Sequence, residues 1–163
     1  MYRRYSSEGD PLLSVWRLDI FEYLRTREPR MTTRNLKKLI RANAEEIRRL
    51  QSRVTATAKH RDGSPEARIE WKRAAAEFRS RYDGLAFPGG YDGALERISS
   101  GDPNSIEAAI CFLECRPYFF RSGYMFPRIL RRCQRASLSK RQAARLQAVV
   151  DGIAEWSVRK ILR

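Results

Sequence analysis

Between residues 32 and 86 the apolar side chains recur at intervals of three, four and seven, and no useful length of the chain alternates in the two-residue period of a strand. That pattern restricts the chain to helices packed on helices. Leu36, Leu39, Ile40, Ile47, Leu50 and Val54 line one face of a long helix that begins near Thr32-Thr33 and is closed by Asp62-Gly63. Ser64-Pro65-Glu66 opens the next helix, with a serine cap and a proline where the N–H has no helical partner in any case. Along it Ala67, Trp71, Ala74, Phe78, Tyr82 and Leu85 repeat almost by sevens. So short a connection predicts an antiparallel helical hairpin, a Leu/Ile seam against a Trp/Phe/Tyr seam. A narrow heptad seam on residues 36–54 would serve equally between two copies, so monomer and homodimer are both compatible with it.

Before the hairpin, Asp10-Pro11 predicts a helix carrying Leu13, Trp16, Ile20 and Leu24 that stops ahead of Pro29. After it, Phe87-Pro88-Gly89-Gly90 cannot continue a helix and marks a boundary or hinge between residues 1–87 and 91–163, two parts expected to pack as one globular unit. Beyond lie a brief helix over 93–99 and a helix opened by Asp102-Pro103 that carries Ile106, Ala109, Ile110 and Leu113 and ends at Pro117. The run from Tyr118 to Tyr124 reads as an aromatic-anchored connection, after which Pro127 opens a helix through Ile129, Leu130 and Cys133. Ser139 and Gln142 form a capping-box pair ahead of a last helix with Leu146, Val149, Val150, Ile153, Trp156 and Ile161. The expected fold is all-α, a hairpin plus short stacked helix pairs.

The segment Asp102-Pro103-Asn104-Ser105-Ile106-Glu107-Ala108-Ala109, followed by Leu113, resembles the second helix of a HEAT-type repeat. The resemblance covers about residues 91–150, at most two repeats, and departs from the family at Glu107, where arginine is common. It implies stacked helix pairs acting as a protein-binding scaffold without catalytic residues.

The 163 residues hold 33 Lys and Arg against 19 Asp and Glu, a net charge of +14, and the excess is concentrated. Residues 30–61 carry ten basic side chains against Glu45 and Glu46; residues 116–145 carry nine and no acid, leaving the rest of the chain slightly acidic. Two such stretches are expected to bind an acidic partner if the fold brings them together. The candidates are Arg34, Lys37, Lys38, Arg41 and Arg48 in the first, and Arg116, Arg121, Arg128, Arg131, Arg132 and Arg135 in the second. The alternative is an arginine-rich composition, 27 Arg to 6 Lys, spread over solvated helix faces.

Little catalytic chemistry is available. The single histidine, His60, sits at a predicted helix end beside Lys59 and Arg61, and no phosphate loop, nucleophile elbow or zinc-protease spacing occurs. Cys111, Cys115 and Cys133 lie among apolar residues, which predicts buried free thiols rather than zinc ligands. The pairs Glu45-Glu46, Glu107 with Glu114, and Asp151 with Glu155 read as helix-surface charge. Tyr118, Phe119, Phe120, Tyr124 and Phe126, interleaved with arginines, suit a stacking platform for single-stranded nucleic acid. The preferred expectation places Phe119, Phe120 and Phe126 in the core and Tyr118 and Tyr124 hydrogen-bonded at its edge.

No metal or cofactor is expected, and without an apolar run of membrane-spanning length or a signal core the chain is expected in the cytoplasm, with no membrane partner. The expected function is a non-enzymatic protein docking a basic helical face on an acidic protein, in the manner of an immunity or antitoxin protein that blocks a toxin. The alternative is phosphate-backbone binding to nucleic acid with little sequence specificity.

Overall fold

A computed structural model describes residues 31–161, with side-chain surroundings up to residue 155. The helix expected over residues 10–28 and the side chains of Trp156 and Ile161 lie outside that range. Six helices and no strand occur among the described residues: α1 (Thr33–Ala58), α2 (Pro65–Ala86), α3 (Ala94–Ser99), α4 (Pro103–Cys115), α5 (Ser122–Cys133) and α6 (Lys140–Ile161). The all-α fold read from the spacing is what the chain adopts.

The starts follow from local chemistry. Thr32 accepts from the Asn35 amide, Ser64 from Ala67 and Asp102 from Ser105, so each side chain satisfies a first-turn N–H that has no helical partner. The expected capping box forms: the Ser139 amide donates to Gln142 Oε1 at 3.1 Å, and the Gln142 amide returns a bond to Ser139 Oγ at 3.3 Å. One start differs from expectation. Helix α5 begins at Ser122, and Pro127 lies inside it rather than opening it. Ser122 exchanges two bonds with Phe119, and the amides of Tyr124 and Met125 both turn to the Arg121 carbonyl, which nucleates the first turn early. The helical bond that proline forgoes belongs to the Gly123 carbonyl, and Gly123 is solvent-exposed, so water can satisfy it.

Helices α1 and α2 form the expected antiparallel hairpin, with Arg53 paired to Glu77 and Glu46 to Arg81. Its two seams are unequal. Leu36, Ile40, Ala44, Ile47 and Leu50 are buried, because α1 lies between α2 and α4; of the α2 seam only Ala74 is, because among the described residues no second helix packs closely on that side. Trp71 stays half-buried under the Arg61 guanidinium, 5.2 Å from the ring centre.

Helix α4 is the centre of the molecule. Ser105, Ile106 and every residue from Ala108 to Leu113 are buried, and it packs against α1, α3, α5 and α6. Phe87, Phe112, Ile98, Ile110, Leu113 and Ile129 fill the space between. The core therefore draws on both sides of the Pro88-Gly89-Gly90 turn, and residues from Thr32 onward form one compact unit. Gly89 and Gly90 take left-handed φ of 81° and 82°, and Arg97 fastens the turn through the carbonyls of Gly89, Gly90 and Asp92.

Candidate functional site

The structure sorts the arginines into those whose ion pairs hold the fold and those in no ion pair among the described residues. Arg145 belongs to the first group. Its guanidinium reaches Glu107 Oε1 at 2.6 Å and both oxygens of Glu114, at 2.9 and 2.7 Å, and Lys37 Nζ closes on Glu114 at 3.0 Å. Thr33 and Gln142 donate to Glu107 as well. This half-buried clasp ties α1, α4 and α6 together. It corrects two expectations: Glu107 and Glu114 are not helix-surface charge, because their seven-residue spacing aims both across α4 at one arginine, and Lys37 is engaged in the fold. Arg145 and Thr33 hold the Glu107 carboxyl below its ordinary pKa although burial acts to raise it; Arg145, then Lys37, do the same for Glu114.

The three cysteines are free thiols. Burial pushes Cys111 up to about 11, with Glu107 and Glu114 adding to it against Arg145, and pushes Cys133 up to about 12. Cys115 is partly buried and also raised. No group of His, Cys, Asp and Glu among the described residues is arranged to hold a metal ion. His60 is exposed beyond the end of α1.

The second group faces solvent. Arg34, Lys38, Arg41 and Arg48 are exposed and in no ion pair among the described residues, as are Arg116, Arg121, Arg128, Arg131, Arg132 and Arg135. Arg34, Arg41 and Arg48 are seven apart on α1 and form one stripe. Arg121, Arg128 and Arg132 form another along α5, where Arg131 and Arg132 also complement the carbonyl end of the helix and Arg132 donates to Ser99.

The connection from Arg116 to Arg121 joins the stripes. It leaves α4 beside Lys37, whose carbonyl lies 4.0 Å from the Cys115 sulfur, and ends at Phe120, which lines a concavity together with Gln51, Val54 and Thr55 of α1. Arg48 lies between those two points. The loop at the start of the second basic stretch therefore runs beside the helix that carries the first.

That run divides differently from expectation. Phe119 turns inward onto Phe112 and Tyr82, ring centres 6.3 and 6.4 Å away, and is buried. Phe120 faces the other way, edge-on to Phe78 and 41% exposed; Phe126 is partly buried under Arg116. Tyr118 and Tyr124 are 81% and 77% exposed, and neither hydroxyl has a partner among the described residues. The reason is backbone conformation: Arg116 (φ 45°) and Arg121 (φ 67°) both take the left-handed region, reversing the chain at each end of so short a loop that one phenylalanine can enter the core. Each arginine lies over a ring, Arg121 5.3 Å from the centre of Phe120.

Phe120 is the wall shared by two concavities. The smaller, about 230 Å³, opens toward Val54 and Phe78; the larger, about 730 Å³, is bounded by Tyr82 of α2, Tyr91 of the turn, Phe120 and Arg121 of the loop, and Tyr124, Met125 and Arg128 of α5. Its wall holds the one buried side-chain polar atom without a partner among the described residues, the Tyr91 hydroxyl. Tyr82 beside it is satisfied, donating to the Phe120 carbonyl at 2.7 Å; burial raises its pKa, with Arg121 acting against it.

Sequence reasoning reached the arginines of this face but not Tyr82, Tyr91 or Met125, since a groove wall composed of three separate segments leaves no local pattern. No helix among the described residues is long and apolar enough to cross a membrane. Compared with known proteins, the chain matches no family model, no curated relative and no solved structure.

Proposed function

We propose that this chain is a non-enzymatic, cytoplasmic binding protein that docks the face formed by Arg34, Arg41, Arg48, the 116–121 loop and α5 on an acidic protein partner. The observation that carries the reading is the exposed arginines, in no ion pair among the described residues, that flank an exposed Tyr/Phe surface with a concavity in it. Aromatic side chains and arginine are the residues that dominate protein interfaces when they surround a pocket. The HEAT-like resemblance of residues 91–150 points the same way, toward a scaffold of stacked helices. Within this class the specific form proposed is an immunity or antitoxin type of inhibitor, in which the basic face covers an acidic surface of a toxin.

A second reading has its own observation: the faces of Tyr118 and Tyr124 are open enough for bases to stack on them, with arginines at hand for phosphates. Affinity capture from the native host with and without nuclease separates the two. A protein recovered after nuclease by the parent chain, and lost when Arg128, Arg131, Arg132 and Arg135 are all changed to Gln, is the result expected of the first. Loss of all bound material on nuclease treatment is the result expected of the second.

A further inference from the structure

Residues Phe119 to Ser122 form a reverse turn, closed by the Ser122 amide donating to the Phe119 carbonyl at 3.0 Å. Arg121, the third residue of the turn, has φ 67° and ψ 1°, and Phe120 before it is not among the residues of positive φ. That combination is a type II turn, which favours glycine or asparagine in the third position because other side chains are strained there. Arginine is unstrained in a type I turn, where the same residue takes φ of about −90° with ψ near zero as before. The two types share the closing bond and differ by a half-rotation of one peptide unit, here the Phe120 carbonyl with the Arg121 amide. Nothing in the sequence of the turn favours type II. The bond that does comes from α2: the Tyr82 hydroxyl donates to the Phe120 carbonyl at 2.7 Å, the one hydrogen bond among the described residues that ties this turn to a distant element. The Tyr82 ring is itself held by Phe78 and the buried Phe119, ring centres 5.4 and 6.4 Å away.

We propose that the Phe120–Arg121 peptide is a two-state switch and that Tyr82 is its latch, holding the turn as type II against the strain at Arg121. Latched, the planar trans peptide turns the Arg121 N–H away from Tyr82, and that N–H has no partner among the described residues. Flipped, the Phe120 carbonyl takes its place. The closing bond and the bonds from the Tyr124 and Met125 amides to the Arg121 carbonyl persist in both states, so the flip leaves α5 and the core as they are. An N–H beside the exposed Arg121 guanidinium suits a carboxylate, and a carbonyl in that place opposes one, so the latched state is the one that docks. This last step rests on the protein-docking reading above; the switch stands on the geometry of the turn.

The test uses the full chain and nuclear Overhauser contacts, which read the turn directly. A strong contact from the Phe120 Hα to the Arg121 amide marks type II, and a strong contact between the Phe120 and Arg121 amides marks type I. The parent should show the type II pattern. Tyr82→Phe keeps the ring and removes the hydroxyl, and should raise the ratio of type I to type II about five-fold, the effect of one lost hydrogen bond. Adding Arg121→Gly to Tyr82→Phe should return the turn to type II, because glycine is unstrained in the third position. An unchanged ratio in Tyr82→Phe overturns the latch, and a double variant flipped as far as Tyr82→Phe alone overturns strain as the force that opposes it. Affinity of Tyr82→Phe for the protein recovered after nuclease treatment should fall with the latched fraction, by up to about five-fold. A turn that flips with no change in that affinity overturns the link to docking while the switch stands.

Discussion

At the scale of single residues, Arg145 shows how an arginine in a basic run can be structural. Its guanidinium is satisfied by two carboxylates on one helix, and its side chain is only 17% exposed. Arg145→Gln leaves Glu107 and Glu114 half-buried with their main partner gone. Removing one member of a fully buried pair costs about 3–5 kcal/mol; with this much solvent access the expected loss is about 1–3 kcal/mol, read by urea unfolding. The same residues set the acid limb. Glu107 and Glu114 titrate in the folded chain below the ordinary value of 4.5, so their contribution is complete above that pH and disappears as the pH falls through their folded values. Glu46, held down to about 2 by Arg49 and Arg81, extends the acid limb in the same direction. Melting temperature should therefore be flat near neutrality and fall below about pH 4.5. In Arg145→Gln that fall should be shallower. An acid limb as steep as the parent's would mean that the clasp contributes no stability.

At the scale of elements, most of the fold was legible because caps and spacing are local. Thr32, Ser64, Asp102 and Ser139 announce helix starts, and each does so through a bond to a residue three positions on. The start of α5 was not legible, since Gly123 and Pro127 both count as breakers while the nucleating contact depends on a left-handed Arg121 that no local pattern demands. Nor was the inequality of the hairpin seams, which is decided by what α4 covers rather than by the seams themselves. The loop from Arg116 to Arg121 keeps arginine where glycine would be unstrained, and backbone strain of this kind gathers where a side chain is needed. Comparing two variants isolates the strain. Arg121→Gly and Arg121→Ala both remove the guanidinium from Phe120, but only alanine keeps the cost of the left-handed conformation. Thermal melting should place Arg121→Gly about 1 kcal/mol above Arg121→Ala, with partner affinity reduced alike in both. An alanine variant as stable as the glycine variant would show that the loop is not strained at this position.

For the molecule as a whole, the fold turns a large net charge into a division of labour. Arg49, Arg53, Arg81 and Arg145, with Lys37, are engaged in ion pairs within and between helices, while the stripes of α1 and α5 are exposed and in no ion pair among the described residues. The sequence located the two basic stretches but could not say where they lie, because that depends on where α4 delivers the loop against α1. It also could not reveal the groove, whose walls come from residues 82 to 128. The central claim is that this face binds a protein through an apolar, arginine-rimmed contact rather than a phosphate backbone through charge alone. It is tested most directly by the salt dependence of affinity for the captured partner. Binding to nucleic acid loses affinity with a log–log slope of about −0.7 to −0.9 per phosphate neutralised, so engagement of six or more of these arginines would give a slope of about −4 or steeper. The account predicts a slope of about −1 to −2, with affinity abolished at every salt concentration when Arg121 and Arg128 are both changed to Gln. A slope of about −4 or steeper, reproduced on single-stranded DNA of arbitrary sequence, would contradict it.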